Sequence, residues 1–166
     1  MIILDMPPQV ATIEVQEEQS IQNTVFDYFV NEMGLSKAAA LGIMANIEAE
    51  SEFNIDAGSR GGAYGLCQWC GSRRSSLLAY EYSPSLETQL RYVRYELETG
   101  YTHVLKVLQE VEDTKDGAAR AAHYFCKYYE IPSNAEARAN YRAGIARRMW
   151  DEYDIEEEEI PDPFEG

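Results

Sequence analysis

Apolar residues fall at Ile21, Val25, Phe29 and Met33, a spacing of four that predicts a helix capped by Ser20 and closed by a left-handed Gly34. A second helix starts at once with Ser36 as its cap, and Lys37 to Ser51 is apolar over most of its circumference. A helix that is apolar all round must be packed on several sides, so this is the expected core helix. Between Phe53 and Gly71 the period is lost, and Gly58, Gly61, Gly62, Gly65 and Gly71 supply the backbone freedom that turns or a small sheet require. Helical spacing returns over Ser72 to Tyr80, from Ser85 with Leu86, Leu90, Val93 and Leu97 on one stripe, over Thr102 to Val111 and over Asp116 to Tyr129. Pro132 breaks the chain before a last helix from Asn134 to about Tyr153. Its expected buried face is Ala137, Tyr141, Ile145 and Met149, with Arg138, Arg142 and Arg148 elsewhere on the circumference. The expected fold class is α+β, predominantly α, with one short β-capable insertion at about 53–71.

Length and charge divide the chain further. Its 166 residues suit one compact domain. The net charge of −15 is uneven: residues 21–150 hold 16 acids against 14 bases, whereas residues 151–166 hold nine acids and no base. The expected organisation is therefore an N-terminal arm at 1–19, a nearly neutral body at 20–150 and a solvated acidic tail at 151–166. A phosphate backbone has to be met by Lys and Arg, so nucleic acid is excluded as a partner on charge. No apolar run approaches the ~18 residues of a membrane span, and the start lacks the basic head and apolar stretch of a secretion signal. Neither membrane insertion nor export by an ordinary signal is expected.

Two glutamates end the core helix. At a helix end surrounded by apolar residues, loss of hydration disfavours the charged carboxylate, which is one way to make a general acid. At 100° per residue Glu50 lies with Ile43, Ala39 and Asn46, and Glu48 with Lys37, Met44 and Leu41, so the two cannot share one site. Helical geometry alone leaves open which of them faces a cleft.

The residues that follow narrow the choice. Asn46 to Asn54 reads Asn-x-x-x-Glu-Ser-x-Phe-Asn, Gly62 to Trp69 reads Gly-Ala-Tyr-Gly-Leu-Cys-Gln-Trp, and Arg73-Arg74 and the Tyr-x-x-Pro segment Tyr129 to Pro132 come later. In this order the set resembles the phage tail lysozyme branch of the lysozyme superfamily, to which goose-type lysozymes and lytic transglycosylases are related. The resemblance spans about residues 20–150 and implies a lysozyme-like fold, with a central helix ending in Glu50 and a small β-hairpin beside it.

What the resemblance implies for function is cleavage of the β-1,4 bond between N-acetylmuramic acid and N-acetylglucosamine in bacterial peptidoglycan, without a cofactor or metal. Glu50 matches the general acid, protonated in an apolar setting, and Ser51 helps anchor the loop behind it. Gln68 matches the hairpin residue bordering the sugar cleft. Tyr64 and Trp69 match aromatic positions near the groove, where flat faces suit pyranose rings. By analogy, a hydroxyl of Tyr128 or Tyr129 reaches the site. The second carboxylate of a hydrolase is not fixed by the resemblance; Asp56 is the nearest candidate and Glu52 the next. A lytic transglycosylase needs no such group, because the substrate's own 6-hydroxyl closes an anhydro ring. The implied setting is a virion or a phage-infected host cytoplasm, acting on the wall, with the acidic ends as junctions to a larger tail assembly.

Two other classes stay open. Cys67-x-x-Cys70 and His123-x-x-Cys126 offer three thiolates and an imidazole, a set a structural zinc ion can use. Against it, Cys67 occupies the variable apolar position of the Gly-Leu-x-Gln motif, and Cys126 lies on the stripe Ala118, Ala122, Phe125, Tyr129. The other class is a structural or wall-binding module that keeps the frame without the reaction. The acidic balance favours it, since anionic wall polymers repel a negative protein.

Overall fold

The computed structural model describes residues 21–58 and 62–158. The first helix, α1, runs from residue 21 and widens into a π-helical turn over Tyr28–Glu32. It turns Val25 and Phe29 inward, and Gly34 closes it at φ +69°. The arm expected at 1–19 and the Ser20 cap lie outside the described residues.

Helix α2, Lys37–Ser51, is the core helix. The Ser36 side chain caps it by accepting from the Ala39 N–H at 3.1 Å. Ala38 to Ile47 are all buried, and small residues let neighbouring helices come close. At Gly42 an added Cβ would lie 2.5 Å from Ala121 Cβ and 2.7 Å from the Ala122 backbone nitrogen, so α6 crosses against bare backbone. Helices α3 (Gly71–Tyr80), α4 (Leu86–Thr99), α5 (Thr102–Glu110), α6 (Lys115–Phe125) and α7 (Ala135–Glu158) complete the set. Helix α6 passes into a second π-helical turn, Cys126–Glu130, and α2 packs chiefly against α6 and α7.

Three details differ from the sequence reading. Helix α6 starts at Lys115 because Thr114 caps it, accepting from the Gly117 N–H at 3.1 Å. In α7 the buried face is Ala139, Arg142, Ile145, Ala146 and Met149, whereas Tyr141 and Ala137 are exposed. A strict spacing of four drifts about 40° per step around a helix of 3.6 residues per turn, which carries Ala137 and Tyr141 off the face that Ile145 and Met149 share. Helix α7 also continues to Glu158, into the acidic stretch, since Glu is a good helix former.

Among the described residues the 53–71 insertion forms no strand; it holds two isolated antiparallel bridges, Gly58 with Tyr64 and Tyr64 with Trp69. The Tyr64–Trp69 turn is closed by two reciprocal backbone bonds of 2.9 Å. Buried Gln89 of α4 braces this turn. Gln89 Oε1 accepts from the Leu66 N–H at 2.9 Å, and its Nε2 donates to the Ile55 carbonyl at 2.8 Å and the Pro84 carbonyl at 3.0 Å. Gly65 permits this approach: its φ is +81°, and a Cβ there would meet Gln89 Oε1 at 2.7 Å. No helix among the described residues is long and apolar enough to cross a membrane.

Candidate active site

Glu50 occupies the last turn of α2, where the chain leaves the helix through two consecutive left-handed residues, Glu52 (φ 53°) and Phe53 (φ 61°). Positive φ at non-glycine residues is costly, and buried Phe53 and the bond from the Asn54 N–H to the Ser51 carbonyl at 3.0 Å hold it in place. Ser51 is buried and donates back to the Ile47 carbonyl at 3.1 Å, a bond within the helix and not to the loop behind it.

The Glu50 side chain is 17% exposed, and its Oε1 lies 2.6 Å from Arg142 Nη2. The apolar setting expected for it is corrected here: a guanidinium stands against the carboxylate. Arg142 is itself 3% exposed and donates a second bond, Nη1 to Asn46 Oδ1 at 2.8 Å. Asn46 passes the connection on, donating to the Gly42 and Ala122 carbonyls at 3.0 Å each. Among the described residues only Oε1 of Glu50 is committed to a hydrogen bond, so Oε2 is the oxygen available to a substrate. A recess of about 240 Å³ lined by Ala49, Ala137, Arg138, Tyr141 and Arg142 adjoins this corner. Glu48, on the other side of α2, binds Arg148 with both oxygens at 2.6 and 2.7 Å and faces a second recess of about 320 Å³ beyond Tyr141.

The charge of Glu50 reaches the turn that carries Gln68. Its Cys67 is buried, and the charges of Glu130 and Glu50 reinforce the effect of burial in raising its thiol pKa, while Arg73 opposes them. Gln68 has φ 52° and donates from Nε2 to the Ala57 carbonyl at 3.0 Å and the Gly65 carbonyl at 3.1 Å. Its amide therefore fixes the loop. Tyr64 is half-buried, with its hydroxyl donated to Asp56 Oδ1 at 3.1 Å. Burial and that carboxylate both raise the phenol pKa. Asp56 is exposed on the loop and engaged in this bond, and Glu52 is exposed at the helix stop.

Trp69 and Tyr129, expected at the groove, are core residues at 1% and 0% exposure. A buried carboxylate draws them in. Glu96 Oε1 accepts from Trp69 Nε1 at 2.8 Å and from the Tyr129 hydroxyl at 2.7 Å, and Arg73 grips Glu96 with Nε and Nη2 at 2.8 and 2.9 Å. Arg73 also donates to the Tyr129 carbonyl at 2.9 Å and lies over the Tyr101 and Tyr129 rings. Burial works against charge on Arg73, and the bonds to Glu96 outweigh it, so its pKa is raised. With their polar tips satisfied inside, these aromatics have no face to offer a sugar. Tyr128 is the exposed member of the pair, tilted against Tyr124 and edge-on to His103.

The zinc alternative fails on placement. Among the described residues no group of three or more His, Cys, Asp or Glu side chains is arranged to hold a metal. Cys67 and Cys126 are buried, Cys70 is exposed, and His123 Nε2 lies 3.2 Å from Glu136.

Sequence reasoning missed Arg142, Glu96 and Glu130. The signal available for Arg142 was its position one residue beyond Tyr141 on the true inner face of α7. For Glu130 it was adjacency to Tyr129 in the Tyr-x-x-Pro segment. A family model described as phage tail lysozyme matches residues 20–153. No curated protein matches the chain.

Proposed function

The chain belongs to the phage tail lysozyme family, whose members are lysozyme-like and act on the cell wall, and from this premise we propose that it is a muramidase with Glu50 as proton donor. The bond cut is the β-1,4 linkage from N-acetylmuramic acid to N-acetylglucosamine, in the context of a phage attacking or leaving its host. The observation that carries the reading is the state of Glu50. It is the partly open carboxylate at the end of the core helix, held by Arg142 through one oxygen, with no hydrogen bond on the other among the described residues.

In the reaction the Glu50 proton goes to the leaving glycosidic oxygen as positive charge develops at the anomeric carbon. Arg142 fixes the rotamer of Glu50 so that the transfer needs little reorganisation. Gln89 and the Glu96 network hold the turn that carries Gln68 in one conformation. Exposed Tyr141, shared by the two recesses beside α2, is placed to meet a sugar ring.

Mass spectrometry of muropeptides released from purified peptidoglycan tests the bond and the chemistry together. Reducing N-acetylmuramic acid ends are expected. Anhydro ends identify a transglycosylase instead, and reducing N-acetylglucosamine ends or cut peptides contradict the proposal.

A further inference from the structure

Glu130 ends the π-helical turn Cys126–Glu130, and the chain on both sides of it is pinned. The preceding Tyr129 carbonyl accepts from Arg73 at 2.9 Å, and the following Ile131, at φ 51°, donates its N–H to the Cys126 carbonyl at 2.9 Å. This holds the Glu130 side chain where the charges of Glu50, Arg142 and Arg73 act on it and the Cys67 thiol of the 64–69 turn hydrogen-bonds to it. Glu130 Oε1 is buried and has no hydrogen-bond partner among the described residues. A full negative charge left with an orphaned oxygen is far more costly than a neutral carboxyl in the same place.

We propose that Glu130 is the second carboxyl group of the site, a positioning residue that acts through Glu50 and shares with it the one proton the reaction uses. The inference rests on the muramidase reading and deepens it. Asp56 is less suited, being exposed and bonded to Tyr64. Burial raises the Glu130 pKa well above the ordinary carboxyl range and the Glu50 charge adds to this, against the pull of Arg142 and Arg73 and of the bond with Cys67. Burial and the Glu50 charge thus favour the protonated form of Glu130, while Glu50 stays bound to Arg142. The leaving oxygen takes the proton from Glu50 as the C1–O4 bond breaks, and the charge this leaves on Glu50 opposes the ionisation of Glu130. The water that forms the new bond to C1 loses a proton, which returns to the pair, so atoms and charge balance over one turnover.

The test compares wild type, Glu50→Gln and Glu130→Gln on purified peptidoglycan from pH 4 to 9. Glu50→Gln is expected to be inactive. Glu130→Gln is expected to lose roughly 10- to 100-fold in kcat with little change in KM, and its alkaline limb moves to lower pH. An unchanged kcat and an unchanged limb in folded Glu130→Gln overturn the inference. A second measurement does not need turnover: carboxyl 13C NMR of wild type and Glu50→Gln. Removal of the Glu50 charge is expected to move the Glu130 titration to lower pH, and an identical titration in both proteins overturns the pairing. A wild-type protein that releases no sugar ends overturns the muramidase reading, and the NMR comparison then decides the pairing by itself.

Discussion

Arg142 and Glu50 meet at 2.6 Å across 92 positions of sequence, and the same guanidinium reaches Asn46 one turn earlier on the core helix at 2.8 Å. One side chain of α7 thus fixes both the position of α7 on α2 and the orientation of the carboxylate assigned to the chemistry. Arg142→Ala leaves Glu50 and Asn46 without their partner in a nearly closed corner. Breaking a buried pair in this way costs about 3–5 kcal/mol. Urea unfolding of the variant should show a loss of this size. Arg142→Lys should lose less stability and still lose activity, because an ammonium cannot bridge Asn46 and Glu50 as a planar fork does.

A pH dependence of stability follows from Glu130. Its pKa is raised in the folded state, by burial first and then by the Glu50 charge. The folded protein therefore keeps this proton at pH values where the unfolded chain has lost it. The stability this contributes is fully present below the ordinary Glu value of about 4.3 and is lost as pH rises toward the folded-state value. Thermal unfolding from pH 4 to 7 should show the wild type falling relative to Glu130→Gln, which keeps the shape and cannot ionise. Parallel curves for the two proteins would contradict the assignment.

How much of this was legible in the sequence depends on the range of the interactions. The α2 boundaries could be read because Ser36, the run of small apolar residues and the Glu50-Ser51 ending are local signals. The helix start at Ser85 and the Gly34 stop are local too, and both stand as expected. The inner face of α7 was misjudged because an arginine counts as polar in any periodicity, and only a partner 92 positions away makes it an inside residue. Trp69 and Tyr129 are assigned to a groove by the resemblance, not by any periodicity. Their burial depends on Glu96, whose role as a common acceptor for three side chains is invisible until α4 is set beside the turn.

Glu96 gives a further prediction. Glu96→Ala removes the carboxylate from the Arg73 guanidinium, the Trp69 N–H and the Tyr129 hydroxyl, leaving Trp69 only the Tyr129 oxygen at 3.2 Å and Arg73 only the Tyr129 carbonyl, so it should destabilise by about 3 kcal/mol or more. Near-ultraviolet circular dichroism should lose the Trp69 signal before the helices melt, since the indole is held at its tip by this carboxylate. A variant of wild-type stability would show that the network does not hold the turn.

The contact of α2 with α6 can be tested at Gly42. Gly42→Ala places a methyl 2.5 Å from Ala121 Cβ and 2.7 Å from the Ala122 nitrogen. Overpacking of this kind costs about 1–3 kcal/mol. Adding Ala121→Gly should recover only part of the loss, because the backbone at Ala122 stays in place.

The most direct test of the central assignment is clearing of a bacterial cell-wall suspension by wild type and Glu50→Gln at equal concentration. Both proteins should first be shown to unfold cooperatively. The account predicts clearing by the wild type and a fall of at least roughly 100-fold for Glu50→Gln. Equal clearing by the two proteins would contradict the role given to Glu50.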